Sequence, residues 1–313
     1  MEKILISRTD GIGDVLLTLP LCKHLSEGDN NQITLLCKNY TQPLKAFTPY
    51  IQNYLSLDFL MAQGDDVIKG VFSKFDAIYH IFPNKQVAKW AKSAGIKLRV
   101  GTSHRLFHWI TCNKKVDFTR KNADLHEAQL NFKLLGSDVP KIDEISKEPL
   151  LFTKDQTLSK WGKLISPDRL NIIIHPKSKG SAVEWSTDNY LNLIEHIGNK
   201  VNFLISGTAD EAKLISNELL NHTYTTNVTG KFTLDEFVNF IYQCDGLIAA
   251  STGPLHIAAT LGKQCLGLYQ NTRPIFAKRW HPIGPKASWL EANEIGQIEM
   301  LDVAKKIMKW TKN

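Results

Sequence analysis

Five loops carry the residue types that could do chemistry, and each follows an apolar run. The first is RTDGIGDVLLTLP, residues 8–20, after Ile4, Leu5 and Ile6. Its glycines allow close backbone approach and unusual dihedrals. Asp14 then stands in the first turn of a helix, where a carboxylate serves as a cap or, facing a ligand, as a general base. HPKSKGSAVEWS, residues 175–186, offers Lys177, Lys179, Ser181 and backbone amides suited to a diphosphate. SGTADE, residues 206–211, ends in Glu211, able to accept from ribose hydroxyls or to complement a helix dipole. In STGPLH, residues 251–256, Pro254 fits the first helical position. Ser251, Thr252 and Gly253 lead into that helix with amides pointing outward, a ready anion site, and His256 lies near its mouth. Asn271–Pro274, with Lys278–Trp280, adds arginines suited to bidentate phosphate contacts. Each loop also has a plainer reading: a cap, a structural histidine or a solvated basic turn.

These loops must be held by strands and helices that alternate. Apolar runs at 3–7, 32–37, 77–82 and 97–100 predict strands in the N-terminal half, with helices over 14–25, 85–93 and 123–135. A polar, proline-bounded stretch, 136–149, predicts the linker. The alternation then restarts. Strands are expected at 171–175, 201–206, 246–250 and 264–269, and helices over 187–197, 210–220, 233–242 and 254–261. That order predicts an α/β chain of two parallel-sheet domains, 1–149 and 150–313, with ligands beyond the carboxyl ends of the strands.

Composition narrows the partners. The 313 residues carry a net charge of +7, which favours anionic ligands. Five scattered cysteines, none in a C-x-x-C pair, predict reduced thiols and a cytosolic setting, with neither a disulfide scaffold nor a zinc site. No signal peptide and no membrane-spanning run is expected, so any membrane contact is from the surface.

Gly11-Ile12-Gly13 does not complete a dinucleotide fingerprint. Leu16 stands where glycine or alanine is needed, Cys37 and Lys38 end the second strand where an acid is needed, and no Walker lysine follows. No two aspartates stand two positions apart, so the D-x-D pair of many metal-dependent sugar transferases is missing. A leaving diphosphate would have to be neutralised by amides, lysine and arginine, with no metal and no cofactor.

Taken in order, these motifs resemble the heptosyltransferase-like glycosyltransferases of family 9, typified by the ADP-heptose:lipopolysaccharide heptosyltransferases. Arg8, Gly13, Asp14 and Pro20 match the family's R-x-x-x-x-GD-x-x-x-x-x-P opening. His126, Asn131 and Leu134 to Gly136 are similar to its H…N…LLxxLG helix. HPKSKGSAVEWS resembles its HPG…WP loop, SGTADE its G-x-x-x-E element, and Gly230 with Leu234 and Glu236 its TG…L-x-E segment. STGPLHIAATLGK, 251–263, is similar to its signature DTGPxHxAxALG. The resemblance implies a GT-B fold, two Rossmann-like domains facing across a cleft, and metal-independent, inverting transfer. It implies that Asp14 is the general base, that Thr252, Gly253 and His256 contact the donor phosphates and sugar, and that Glu211 contacts the nucleotide ribose. Lys177, Lys179, Ser181, Ser251 and Pro254 complete the expected donor set. Two positions depart from the pattern. Ser251 replaces an aspartate, and Val183 replaces a lysine two residues before Trp185, a charge that Lys177 or Lys179 would then supply. Both bear on which donor is used.

The acceptor side is expected on the N-terminal half. Residues 85–121 hold ten basic residues against Asp117 alone, a local balance of +9 in a chain of +7. Gly13, Lys89, Arg99, Arg105 and Arg120 are the expected acceptor contacts. Such a segment suits an anionic glycolipid at the inner face of the cytoplasmic membrane. No helix-turn-helix, zinc or single-strand-binding pattern accompanies the charge, so nucleic acid is not expected. Two rival readings remain: the same chemistry on another nucleotide sugar, or a degenerate member that binds a nucleotide or glycolipid without catalysis.

Overall fold

Strands buried on both faces read as unbroken apolar runs, and the central strands here do so. The computed structural model describes every residue except 29–30, 122, 137, 154–159 and 313. The chain divides into two compact units, Met1–Ile145 and Ser146–Asn313. The division falls inside the linker expected at 136–149, of which residue 137 lies outside the described residues.

The first unit holds strands β1 (Lys3–Ser7), β2 (Gln32–Cys37), β3 (Asn53–Ser56), β4 (Ala77–His80), β5 (Leu98–Thr102) and β6 (Lys114–Val116). The second holds β7 (Leu170–His175), β8 (Val201–Ile205), β9 (Thr225–Asn227), β10 (Gly246–Ala250), β11 (Gln264–Gln270) and β12 (Ala287–Ala292). Each unit forms one six-stranded sheet, in the orders β3-β2-β1-β4-β5-β6 and β12-β11-β10-β7-β8-β9. Every pairing is parallel. Read from its own first strand, each sheet has the order 3-2-1-4-5-6 of the doubly wound dinucleotide folds. The strand order reverses between β1 and β4 in one unit and between β7 and β10 in the other. Loops after those four strands are therefore where a ligand is best received.

Three expected helices differ from the structure, each for a local reason. The helix expected at 14–25 is two pieces, Ile12–Leu16 and Leu19–Gly28, because Pro20 has no N–H to give and crowds the preceding turn. The helix expected at 210–220 is also two, Ala209–Ala212 and Asn217–Leu220. Ser216 recaps the second by accepting from Leu219 N at 3.2 Å. The helix at 123–135 shortens to Glu127–Phe132, followed by a tighter turn at Lys133–Leu135, with His126 as its cap. By contrast Lys85–Ser93 and Thr187–Ile197 form as expected, the latter capped by Ser186.

Candidate functional site

In the first unit the loop after β1 is organised by a buried arginine. Arg8 is 2% exposed, yet its guanidinium meets three carboxylates. Nε donates to Asp10 Oδ1 at 2.8 Å, one terminal nitrogen donates to Glu127 Oε1 at 3.0 Å, and the other pairs with Asp14. Arg120 closes the far side, donating to Glu127 Oε1 at 2.9 Å and to Asn131 Oδ1 at 3.1 Å. Asn131 in turn donates to Leu17 O at 3.0 Å, tying the helix Glu127–Phe132 to the end of the opening loop.

Asp14 itself is the third residue of the helix Ile12–Leu16, whose N-cap is Gly11. Its Oδ2 accepts from Gly11 N at 3.3 Å while Oδ1 faces Arg8. Capping and an outward-facing carboxylate thus coexist, since the side chain keeps 23% of its exposure. Neither Gly11 nor Gly13 has a positive φ, so unusual dihedrals are not their purpose. Gly11 matters through space: a Cβ there would lie 3.2 Å from Asp14 Oδ2.

Three carboxylates around two guanidinium groups leave one negative charge in excess. Burial raises the Asp10 pKa to about 7, against the pull of Arg8 and with the push of Asp14. For Arg8, burial works against the charge, but Asp10, Asp14 and Glu127 together raise its pKa.

The other expected acceptor residues are scattered. Arg105 is exposed just beyond the carboxyl end of β5, before the helix Leu106–Thr111. Lys89 sits mid-way along Lys85–Ser93, on its exposed face. Arg99 is the second residue of β5, at the opposite end of the sheet from Asp14. Its guanidinium is spent on the backbone carbonyls of Thr111, at 2.8 Å, and Ile96. It braces the β5 region and does not join the Asp14 loop.

The second unit gathers hydroxyls and amides where the first gathers charge. Thr252 is the N-cap of Gly253–Thr260; Pro254 is the second helical residue, one later than expected, and the Thr252 side chain makes no cap bond. Thr252 Oγ1 is buried and has no hydrogen-bond partner among the described residues. The helix-start amides therefore remain for a ligand, since the cap that would take one is turned away. His256, one turn on, is 3% exposed. Ser181 Oγ donates to Ser251 O at 3.1 Å, joining the loops after β7 and β10 across the point where the strand order reverses.

Lys177 and Lys179 part company. Lys177 Nζ pairs with Glu184 Oε2 at 3.0 Å. Glu184 also accepts from Ser178 N at 2.7 Å, so this pair folds the loop. Lys179 is exposed and has no ion-pair partner among the described residues. Of the two, it is the cation that can stand in for the lysine replaced by Val183, which is itself 50% exposed. Glu211 is 4% exposed and closes a capping box, Oε2 accepting from Thr208 N at 2.7 Å. Its Oε1 lies 4.0 Å from His175 Nε2. Burial lowers the His175 pKa to about 4, so the ring is neutral near pH 7 and the contact is not an ion pair. Among the described residues no three His, Cys, Asp or Glu side chains gather as a metal site. All five cysteines are buried, and none is in a disulfide.

The family model of glycosyltransferase family 9 (heptosyltransferase) matches residues 72–308. The chain belongs to this family. It is 27% identical over 302 residues to a candidate glycosyltransferase of Haemophilus influenzae, covering 90% of this chain and 86% of that protein. The lipopolysaccharide core heptosyltransferase OpsX of the same organism is 28% identical over 150 residues, 43% of each chain. The solved ADP-heptose lipopolysaccharide heptosyltransferase II of Escherichia coli superimposes with a TM-score of 0.73 at 19% identity, over 98% of this chain and 97% of that one. The fold of this glycosyltransferase is accordingly GT-B. Within it, Arg8, Glu127 and Asn131 are the site residues to which sequence reasoning gave no role. The signal for Arg8 was its place directly after a buried strand, where a charge must find partners. Glu127 carried none, because its partner lies 119 residues away.

Proposed function

We propose that this enzyme transfers heptose from ADP-heptose to a lipopolysaccharide core acceptor, with inversion and without a metal ion. Asp14 takes the proton of the acceptor hydroxyl as that oxygen attacks the anomeric carbon. The bond from carbon to the diphosphate breaks as the new glycosidic bond forms, and ADP leaves with the electron pair. The Thr252 hydroxyl, the helix-start amides near Gly253 and the Lys179 ammonium stabilise the departing charge. His256 and Ser251 face the donor, with Ser251 adjusting the sugar contact that an aspartate makes in the family pattern. Arg8 is a positioning residue: it holds Asp14 through its fork, backed by Glu127 and Arg120. Arg120 and Arg105 are the acceptor-side cations.

What carries this reading is the division of chemistry between two sheets of identical strand order, carboxylates at one switch point and an anion cradle at the other. Among the described residues no helix is long and apolar enough to cross a membrane. The basic segment 85–121 supports work at the inner face of the cytoplasmic membrane, where such a glycolipid is displayed.

A thermal-shift panel of ADP, UDP, GDP, CDP and TDP, each with magnesium or with EDTA, tests the proposal. A ligand at 100 times its dissociation constant adds about 2.7 kcal/mol of stability. The expected outcome is a shift selective for ADP and unchanged by EDTA. A selective shift with another nucleotide replaces the heptose donor. No shift with any of them favours the degenerate binder that Ser251 and Val183 suggest.

A further inference from the structure

The helix Leu106–Thr111 is built inside out. Its inner face carries His108 and Thr111, both buried. His108 Nδ1 lies 3.0 Å from Thr102 O, so that nitrogen donates. Gly101 makes room for the ring, since a Cβ there would fall 2.5 Å from His108 Nδ1. Trp109 Nε1 donates to Ser103 O at 2.8 Å, fixing the indole. The outer face carries Leu106, Trp109 and Ile110, spaced to share one side of a helix and 89%, 59% and 68% exposed. A packed helix that points its polar side inward and three large apolar side chains outward has a surface that something else covers.

Charge indicates the occupant. Lys115 Nζ stands 5.4 Å from the Trp109 ring centroid, and Arg105, the N-cap of the helix, is exposed. The neighbouring helix Lys85–Ser93 packs against it and exposes Lys85, Lys89 and Lys92. A second copy would set one strongly basic surface against another. A nucleic acid would suit the charge but would gain nothing from Leu106 and Ile110, which cannot stack on bases. Tryptophan and aliphatic side chains ringed by lysine and arginine are the make-up of an element that lies in an anionic bilayer interface.

We infer that Leu106, Trp109 and Ile110 form a wedge that enters the anionic leaflet and seats the first unit on the membrane. This deepens the proposed function and rests on its membrane-borne acceptor. The wedge follows β5, and β5 runs parallel to β1 with β4 between them, two strand spacings or roughly 10 Å away. The wedge and the Asp14 loop thus leave the same end of one sheet, so a glycolipid entering beside the wedge brings its head group towards Asp14.

The test is sedimentation of the full chain with vesicles of phosphatidylglycerol and phosphatidylethanolamine, against vesicles of phosphatidylcholine alone. Wild type should bind the anionic vesicles, and bromine-labelled acyl chains should quench its tryptophan fluorescence. Trp109→Phe should lose most of that quenching. The pair Leu106→Ser with Ile110→Ser should weaken vesicle binding roughly tenfold or more. Both variants should keep the wild-type circular dichroism and the wild-type response to ADP. Vesicle binding unchanged in the double variant would overturn the inference, as would wild-type quenching that survives in Trp109→Phe. A wild-type dimer in solution that the double variant converts to monomer would also overturn it. Vesicle binding is read without nucleotide, so failure of the wild type to respond to ADP would count against the proposed transfer and leave the wedge to be judged by its own result.

Discussion

The two units share a strand order and differ in what they place at the point where it reverses. In the first, charge is concentrated and buried, with Arg8 inside a ring of Asp10, Asp14 and Glu127. In the second, charge is engaged in loop folding and capping, through Lys177 with Glu184 and Glu211 with Thr208 N. What remains open there is a buried hydroxyl, a helix start and the exposed Lys179. One scaffold thus places a half-buried carboxylate at one switch point and an unpartnered hydroxyl with an uncapped helix start at the other. The lesson is that fold fixes where chemistry can occur, and the side chains at the switch point fix which chemistry it is.

Four substitutions would break or sharpen that contrast. Asp14→Asn should cost about 10²- to 10⁴-fold in turnover, the usual worth of a general base, and leave ADP affinity unchanged by calorimetry. A parallel fall in ADP affinity would show that the two switch points do not divide the work. Arg8→Ala should lower unfolding stability by about 3–5 kcal/mol in urea titration, because Glu127 stays buried with its charge less compensated. Lys177→Ala, whose partner Glu184 is partly exposed, should cost under about 1 kcal/mol. Between these in size, Thr252→Val should weaken ADP binding by about 1.5 kcal/mol, roughly tenfold, while leaving stability unchanged or slightly higher. The hydroxyl it removes has no protein partner among the described residues to lose.

The pH dependence extends the contrast, because one titrating group from each unit acts with opposite sign. Asp10 has its folded pKa raised, from 3.8 to about 7. Its contribution to stability is full below the unfolded value and lost as pH rises through the folded one. His175 has its pKa lowered, from 6.5 to about 4. Its contribution is full above the unfolded value and lost as pH falls through the folded one. Asp10→Asn should therefore gain on wild type as pH is raised from about 5 to about 8, and His175→Asn should gain as pH is lowered over the same span. Urea midpoints across that range check both.

Legibility in the sequence followed burial. The eight strands read as apolar runs, such as Ile4–Ile6 and Ile172–Ile174, are the inner strands of the two sheets. The four that carried no such signal, β3, β6, β9 and β12, are the outermost. KKV and TTN are too short and polar to stand out, and ASWLEA alternates because one face meets solvent. In the site, residues joined by local loops were readable: Asp14, Thr252 and Ser181 follow predicted strands. The distant partners of Arg8, Glu127 and Asn131, were not, because contacts more than a hundred residues apart leave no periodic trace. The surroundings of Arg99 were hidden for a related reason. Its charge counted toward a basic segment, but its position at the start of β5 turns its guanidinium to carbonyls at the far end of the sheet.

The division of labour between the two switch points is tested most directly by hydrogen–deuterium exchange of the full chain with and without ADP. Slowed amide exchange is expected at residues 177–181 and 251–256, with residues 8–16 unchanged. Protection centred on residues 8–16, with the loops after β7 and β10 unaffected, would contradict the account.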